Sequence, residues 1–317
     1  MENLAKRDKD QGSSLAGSGG SGQSGFKEEN ISLVVEKVEN HKTQGIIGGS
    51  FTHFAVKNAT SYMIGTSRHG FKVIENGSVI HLGRLPGRDQ QLADIVYADH
   101  LDCYFLYHNY KIYRKDVDDK PPYVFMDLRC RFLHGCCFRY TKVNKRLLII
   151  SEDCESILVI NVDRKQVEMK ITRNALKDEL VQDFRIFGKK ETELACLTKE
   201  GTLVVFSLDY LTRKVLRTSQ SKISLLSERR EETLSMAVCG NNEYILVEIE
   251  VKQFFGRHHS SRMAVFHHNI NSRKLVLKAT LDLYEEYRNN ILGRKCALTC
   301  GGYITEDHIL WIGVGLP

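Results

Sequence analysis

Four histidines stand in two adjacent pairs, His258-His259 and His267-His268. Imidazole nitrogens converging on one point hold zinc. Neighbouring side chains on a strand point to opposite faces, so a pair at i, i+1 chelates poorly. No cysteine or carboxylate stands at ligand spacing beside either pair, and no metal site is assigned. Cys136-Cys137 and Cys296/Cys300 would support redox chemistry only beside a resolving thiol or with a depressed pKa. Neither sign is present, no C-x-x-C occurs, and these cysteines open strand-like runs, where a thiol packs as a small hydrophobe. A nucleophile elbow, G-x-S-x-G, is missing; Gly48-Gly49-Ser50 reads as a loop before a strand. No Gly-rich loop runs into Lys-Ser or Lys-Thr, so no phosphate-cradling loop is expected. The carboxylate pairs Asp118-Asp119 and Glu231-Glu232 fall in turn-like stretches and read as solvated charges. No catalytic residue, cofactor or metal is therefore assigned.

One segment has binding chemistry. Lys252–Ser260 (KQFFGRHHS) interrupts two strand-like runs and carries Phe254 and Phe255 beside Arg257 and His258, with Arg262 just beyond. Insertions on a regular scaffold are where recognition tends to be grafted. Paired aromatics with cations suit a protein partner first. A nucleic-acid strand or an anionic membrane surface is the second choice. The plain alternative is a long hairpin that packs its phenylalanines on its own strands. Lys111, Arg114 and Lys115, with Arg129 and Arg131, read as charges on strand edges rather than a phosphate track.

The elements that must position this segment come from a long, all-β pattern. The 317 residues are 42% hydrophobic and 26% charged, which is globular composition. No run approaches the ~18 consecutive apolar residues of a membrane helix. The start, MENLAKRDKDQ, carries acids and has no apolar centre, unlike a secretory signal. With nine cysteines mostly inside strand-like runs, the expected compartment is reducing and intracellular, cytoplasmic or nuclear. The net charge of +6 is modest, with Lys and Arg spread along the chain rather than blocked.

Residues 1–30 divide from the rest by composition. Gln11–Gly25 is almost entirely Gly and Ser and should form a flexible tail. From Ile31, where ISLVVEKV reads as a strand, β-rich runs recur. Ser156–Ile171, Gly201–Thr218 and Ser261–Ala279 each read as a hairpin preceded by two further strands. Four-stranded units repeating along a chain mark a β-propeller, because one such sheet buries both faces only between neighbours. Five full blades are expected, at about Gly48–Gly83, Leu92–Leu128, Cys136–Ile171, Val181–Thr218 and Thr233–Leu281. Asn76-Gly77 supplies a tight hairpin in the first. A sixth, incomplete blade begins near Lys295. Ile31–Val38 could supply its outer strand; otherwise the ring is gapped, or the chain is a piece of a longer product. Ile171–Asp183 and Leu281–Leu292 have helical spacing and read as short helices or irregular crossovers.

The layout of residues 31–317 resembles the WD-repeat class of propellers. The third-strand, turn, fourth-strand units carry the resemblance. Where that class often ends the third strand with Trp-Asp, this chain reads Asn161-Val162-Asp163, Ser207-Leu208-Asp209 and Asn269-Ile270-Asn271. The acidic or amide residue is kept and the tryptophan is not; Gly-His is absent, and the single Trp311 stands in a second strand. Fold resemblance alone does not carry function; the expected role is a non-catalytic scaffold whose rigid blades present loops to partner proteins. Binding of nucleic acid or anionic lipid through basic surface is an alternative, as is a propeller hydrolase with a site at the central channel. The inner strands offer Cys, Phe, Ala and Val with scattered Arg and Lys, which argues against a catalytic channel.

Overall fold

The computed structural model describes residues 51–315 except 59, 67–69, 87–91, 109, 129–137, 151–155, 177–179, 226–230, 240–243, 252–259, 270–273, 283–295 and 304–308. Blade one holds β1 (Phe51–Asn58), β2 (Ser61–Thr66), β3 (Gly70–Glu75) and β4 (Ser78–Arg84). Blade two holds β5 (Leu92–Ala98), β6 (Cys103–His108), β7 (Lys111–Asp116) and β8 (Tyr123–Asp127). Blade three holds β9 (Phe138–Thr141), β10 (Arg146–Ile150), β11 (Ser156–Asn161) and β12 (Gln166–Thr172). Blade four holds β13 (Val181–Phe187), β14 (Glu193–Thr198), β15 (Thr202–Asp209) and β16 (Lys214–Ser224). Blade five holds β17 (Glu231–Cys239), β18 (Tyr244–Val251), β19 (Ser260–Asn269) and β20 (Lys274–Asp282). Each is an antiparallel sheet in chain order, and a two-stranded sheet follows, β21 (Cys296–Tyr303) with β22 (Ile309–Gly315). The fold is an all-β propeller of five full blades and a partial sixth.

The first strand of every blade is innermost. These strands run in one circuit, β1, β5, β9, β13, β17 and β21, and β21 lies beside both β17 and β1. The middle strands explain why the sequence reads as continuous apolar runs. In β6 (CYFLYH) and β11 (SILVIN) every residue is buried, because a neighbouring blade covers each face. Alternation then sorts residues between neighbours. Leu147 and Ile149 of β10 pack towards Phe105, Phe125 and Phe138, in the core shared with blade two. Leu148 and Ile150 pack towards Phe184, Leu194 and Phe206, in the core shared with blade four. The same division recurs between blades one and two, around Phe71, Tyr104 and Leu106, and between four and five, around Leu197, Met236 and Phe266.

Turn chemistry closes the hairpins. Asn76 and Gly77 both adopt positive φ, 51° and 76°, as a two-residue hairpin with right-handed strand twist requires. Between blades three and four the described residues 173–176 form a turn. β12 runs through Thr172, the Leu176 amide donates to the Thr172 carbonyl at 3.1 Å, Leu176 is buried, and β13 begins at Val181. The second segment with helical spacing extends β20 to Asp282 and then lies outside the described residues, as do the Gly/Ser tail and Ile31–Val38.

Cys103 and Cys196 are buried in strands without disulfides, and burial pushes the Cys103 thiol up to about 12. Both behave as core residues. Lys115 departs from the edge-charge expectation. It is fully buried and donates to the carbonyls of Asp116 and Asp118 at 2.6 and 2.5 Å and to Asp118 Oδ1 at 3.1 Å. That bond holds the Asp118 carboxyl below its usual range. Lys115 thus fastens the loop that joins β7 to β8.

Candidate functional site

The inner strands share a device. A β-bulge opens β1, β5, β13 and β17, between Phe51 and His53, Leu92 and Asp94, Val181 and Asp183, and Thr233 and Ser235. A bulge re-aims the residue that follows it. In blades one, two and four that residue is His53, Asp94 and Asp183. Arg139 of β9 lies between the two carboxylates. Its Nη1 donates to Asp94 Oδ2 at 2.8 Å and its Nη2 to Asp183 Oδ1 at 3.0 Å. Arg185 Nη1 reaches the same Asp183 oxygen at 2.6 Å, and His53 Nδ1 lies 3.8 Å from Asp94 Oδ1. Backbone amides complete the set: Ile95 and Phe138 donate to Asp94, and Phe184 donates to Asp183. The inner strands therefore carry acids and a histidine in addition to the apolar residues expected of them. The two carboxylates are engaged by guanidinium and amide donors, so the arrangement works as a clamp across blades one to four.

A second belt joins the turns at the opposite end of the inner strands. Here each first-to-second-strand turn and each third-to-fourth-strand turn emerges on one face, because antiparallel strands alternate direction. Lys57 bridges Glu75 at 3.0 Å and Asp102 of the next blade at 2.9 Å. The Tyr97 hydroxyl, donating to Asp102 at 2.7 Å, and then Lys57 hold that carboxyl below its usual range. His100 stacks on Tyr140 of blade three with centroids 5.6 Å apart, and the Tyr140 hydroxyl is hydrogen-bonded to His100 Nδ1. Between blades three and four, Glu191 accepts the Val143 amide at 2.7 Å, and Asn144 donates to the Lys190 and Glu191 carbonyls. Burial pushes the Glu191 carboxyl up.

These belts hold exposed side chains still. The Tyr210 hydroxyl donates to the Glu191 carbonyl at 3.2 Å. Asp209 then caps the next turn, accepting from the Leu211 and Thr212 amides and the Thr212 hydroxyl. Leu211 stands at the tip of that turn, 95% exposed, and Val143 is 59% exposed beside the shared Glu191 turn.

Phe254, Phe255, Arg257 and His258 lie outside the described residues. Arg262 is on β19, half-buried, across from Ile249 and Asp282. His267 and His268 point apart: His267 lies against Tyr244, centroids 5.1 Å apart, whereas His268 is buried edge-on to Phe187 at 5.2 Å. The inner clamp was missed in sequence. The recurrence of Asp94 and Asp183 two residues into their inner strands was the available signal.

No protein-family model matches this chain, and no curated protein sequence matches it. Solved structures do. The β-propeller domain of Cps50 (Swd1) from Myceliophteria thermophila superposes with a TM-score of 0.56 at 11% identity, over 83% of this chain and 80% of that one. The Dos1 propeller matches at 0.49 and 8%, over 80% and 63%. A protein from Lactobacillus plantarum matches at 0.45 and 10%, over 73% and 84%. The chain has the fold of a WD-repeat-like β-propeller.

Proposed function

We propose that this chain is a non-catalytic propeller scaffold that docks partner proteins. The observation that carries the proposal is the face of stitched turns: Glu191 fixes both Val143 and Tyr210, and Asp209 fixes Leu211, so exposed apolar groups are held in place. Ordering such groups before binding lowers the entropy cost of association. The inner carboxylates Asp94 and Asp183, each bonded to a guanidinium, support a structural role over an acid–base pair. The blade-five segment, with Phe254 and Phe255 flanked by Arg257, His258 and Arg262, is the second docking element of the proposal. The scaffold would work inside the cell, in cytoplasm or nucleus, with its thiols reduced. Among the described residues no helix is long and apolar enough to cross a membrane.

Affinity capture with the native chain from its own cells tests this. Discrete proteins should co-purify in stoichiometric amount, and the Phe254→Ser/Phe255→Ser double variant should fold and lose part of that set. Recovery of no protein with the native chain would contradict the scaffold reading.

A further inference from the structure

The turn face is electrically divided. In the first-to-second and third-to-fourth-strand turns of blade three stand Lys142 and Lys145, then Arg164 and Lys165. The matching turns of blade four carry Lys189 and Lys190, then Arg213. All seven are exposed, against three carboxylates at the same four turns, Asp163, Glu191 and Asp209, the last accepting from the Leu211 and Thr212 amides of its own turn. Asp163 lies 3.6 Å from His100, and Glu191 is half-buried under Val143. Among the described residues Lys142 alone of the seven is in ion-pair contact, with Asp99 at 4.0 Å. The local backbone repeats as well: Lys145, Lys165 and Arg213 each close their turn at positive φ, 53°, 52° and 57°. The two corresponding turns of blade two have the opposite sign, with Asp99, Asp102, Asp118 and Asp119 against Lys120, whereas the described turn residues of blade one, Thr60, Asn76 and Gly77, are uncharged.

Within the basic half stand the two protruding aliphatics, Val143 and Leu211. They share one scaffold, since Val143 donates to the Glu191 side chain and Tyr210 to its carbonyl. Cations around an apolar pair fit a segment that offers carboxylates and aliphatic groups together. An extended polyanion fits less well. A duplex or a charged bilayer laid across this face would meet the acidic turns of blade two as well. A single nucleic-acid strand would want aromatic platforms. In these four turns the sole aromatic is Tyr210, half-buried with its hydroxyl bonded.

We infer that the turns of blades three and four form the docking site for a short acidic, leucine-containing segment of a partner protein. The site rests on the scaffold reading and names the partner's chemistry. Carboxylates meet Lys142, Lys145, Lys189 and Lys190, and aliphatic side chains meet Leu211 and Val143. The acidic turns of blade two border the site on one side.

A fluorescein-labelled peptide of alternating Glu and Leu, followed by anisotropy against the full chain, tests the site. Binding should weaken as salt rises. Reversal of Lys142, Lys145, Lys189 and Lys190 to Glu should weaken it about tenfold or more, since each exposed pair is worth roughly 0.2–1 kcal/mol. The same four changed to Gln give a gentler variant should the reversed chain fail to fold. Leu211→Ser should weaken the binding that persists at raised salt. Lys199→Glu, on the opposite face, should bind as the native chain does. Unchanged affinity in the four-lysine variants would overturn the site. So would tighter binding of phosphatidylserine vesicles or a single-stranded oligonucleotide lost in those same variants. A charge-reversed chain that still captures every native partner overturns this assignment and leaves the scaffold reading in place. A native chain that captures none overturns the scaffold reading itself.

Discussion

Arg139 and Asp183 stand on the inner strands of adjacent blades, 44 residues apart in sequence, and meet at 3.0 Å between guanidinium Nη2 and carboxylate Oδ1. Asp94 occupies the other side of the same guanidinium at 2.8 Å. One side chain thus joins three blades at the ring's inner edge.

Replacing Arg139 with Met should therefore destabilise the chain by about 1–3 kcal/mol, because two half-buried carboxylates lose a charged donor. Chemical denaturation checks this. Adding Asp94→Asn to Arg139→Met should cost less than the sum of the single changes, as coupled partners do. Full additivity would show that the two groups do not act together.

Gly83 of β4 has no room for a side chain. A Cβ there would lie 2.5 Å from Phe71 Cζ and 2.7 Å from His81 Nε2, and those two rings stack 5.5 Å apart. Gly83→Ala should cost about 1–3 kcal/mol through overpacking. Gly77→Ala meets open space and should cost less, through its positive φ alone. Thermal melts of the two variants should rank in that order.

His268 is buried in the core between blades four and five, and burial, with His267 beside it, lowers its pKa. The unfolded chain takes up this proton at the ordinary histidine value, about 6.5, before the folded chain does. Stability from the neutral ring is full above that pH and falls as pH drops towards the lower folded value. His268→Phe should flatten the stability profile as pH falls below about 6.5. An unchanged slope would assign the acid sensitivity elsewhere.

Much of the fold was legible because blades leave local marks. Middle strands such as β6 and β11 are continuous apolar runs, and Asn76-Gly77 announces its hairpin. The site was not legible in the same way. Arg139 finds Asp94 and Asp183 across blade boundaries, which no local pattern reports, and the bulges that re-aim the carboxylates break the alternation a reader would count. The basic face was hidden for a related reason. Lys142 and Lys145, Arg164 and Lys165, Lys189 and Lys190, and Arg213 recur about once per half blade, so along the chain they look evenly spread. Antiparallel strands bring every second turn to one face, and even spacing becomes concentration. Lys115 was misplaced because a lysine that caps carbonyls within a loop resembles a strand-edge charge until the loop is seen.

The most direct measurement is lysine-directed cross-linking of the native chain with its co-purified partner, mapped by mass spectrometry. Cross-links should concentrate at Lys142, Lys145, Lys189 and Lys190. Cross-links confined to the opposite face, around Lys199, with the four turn lysines fully reactive in the complex, would contradict the assigned docking site.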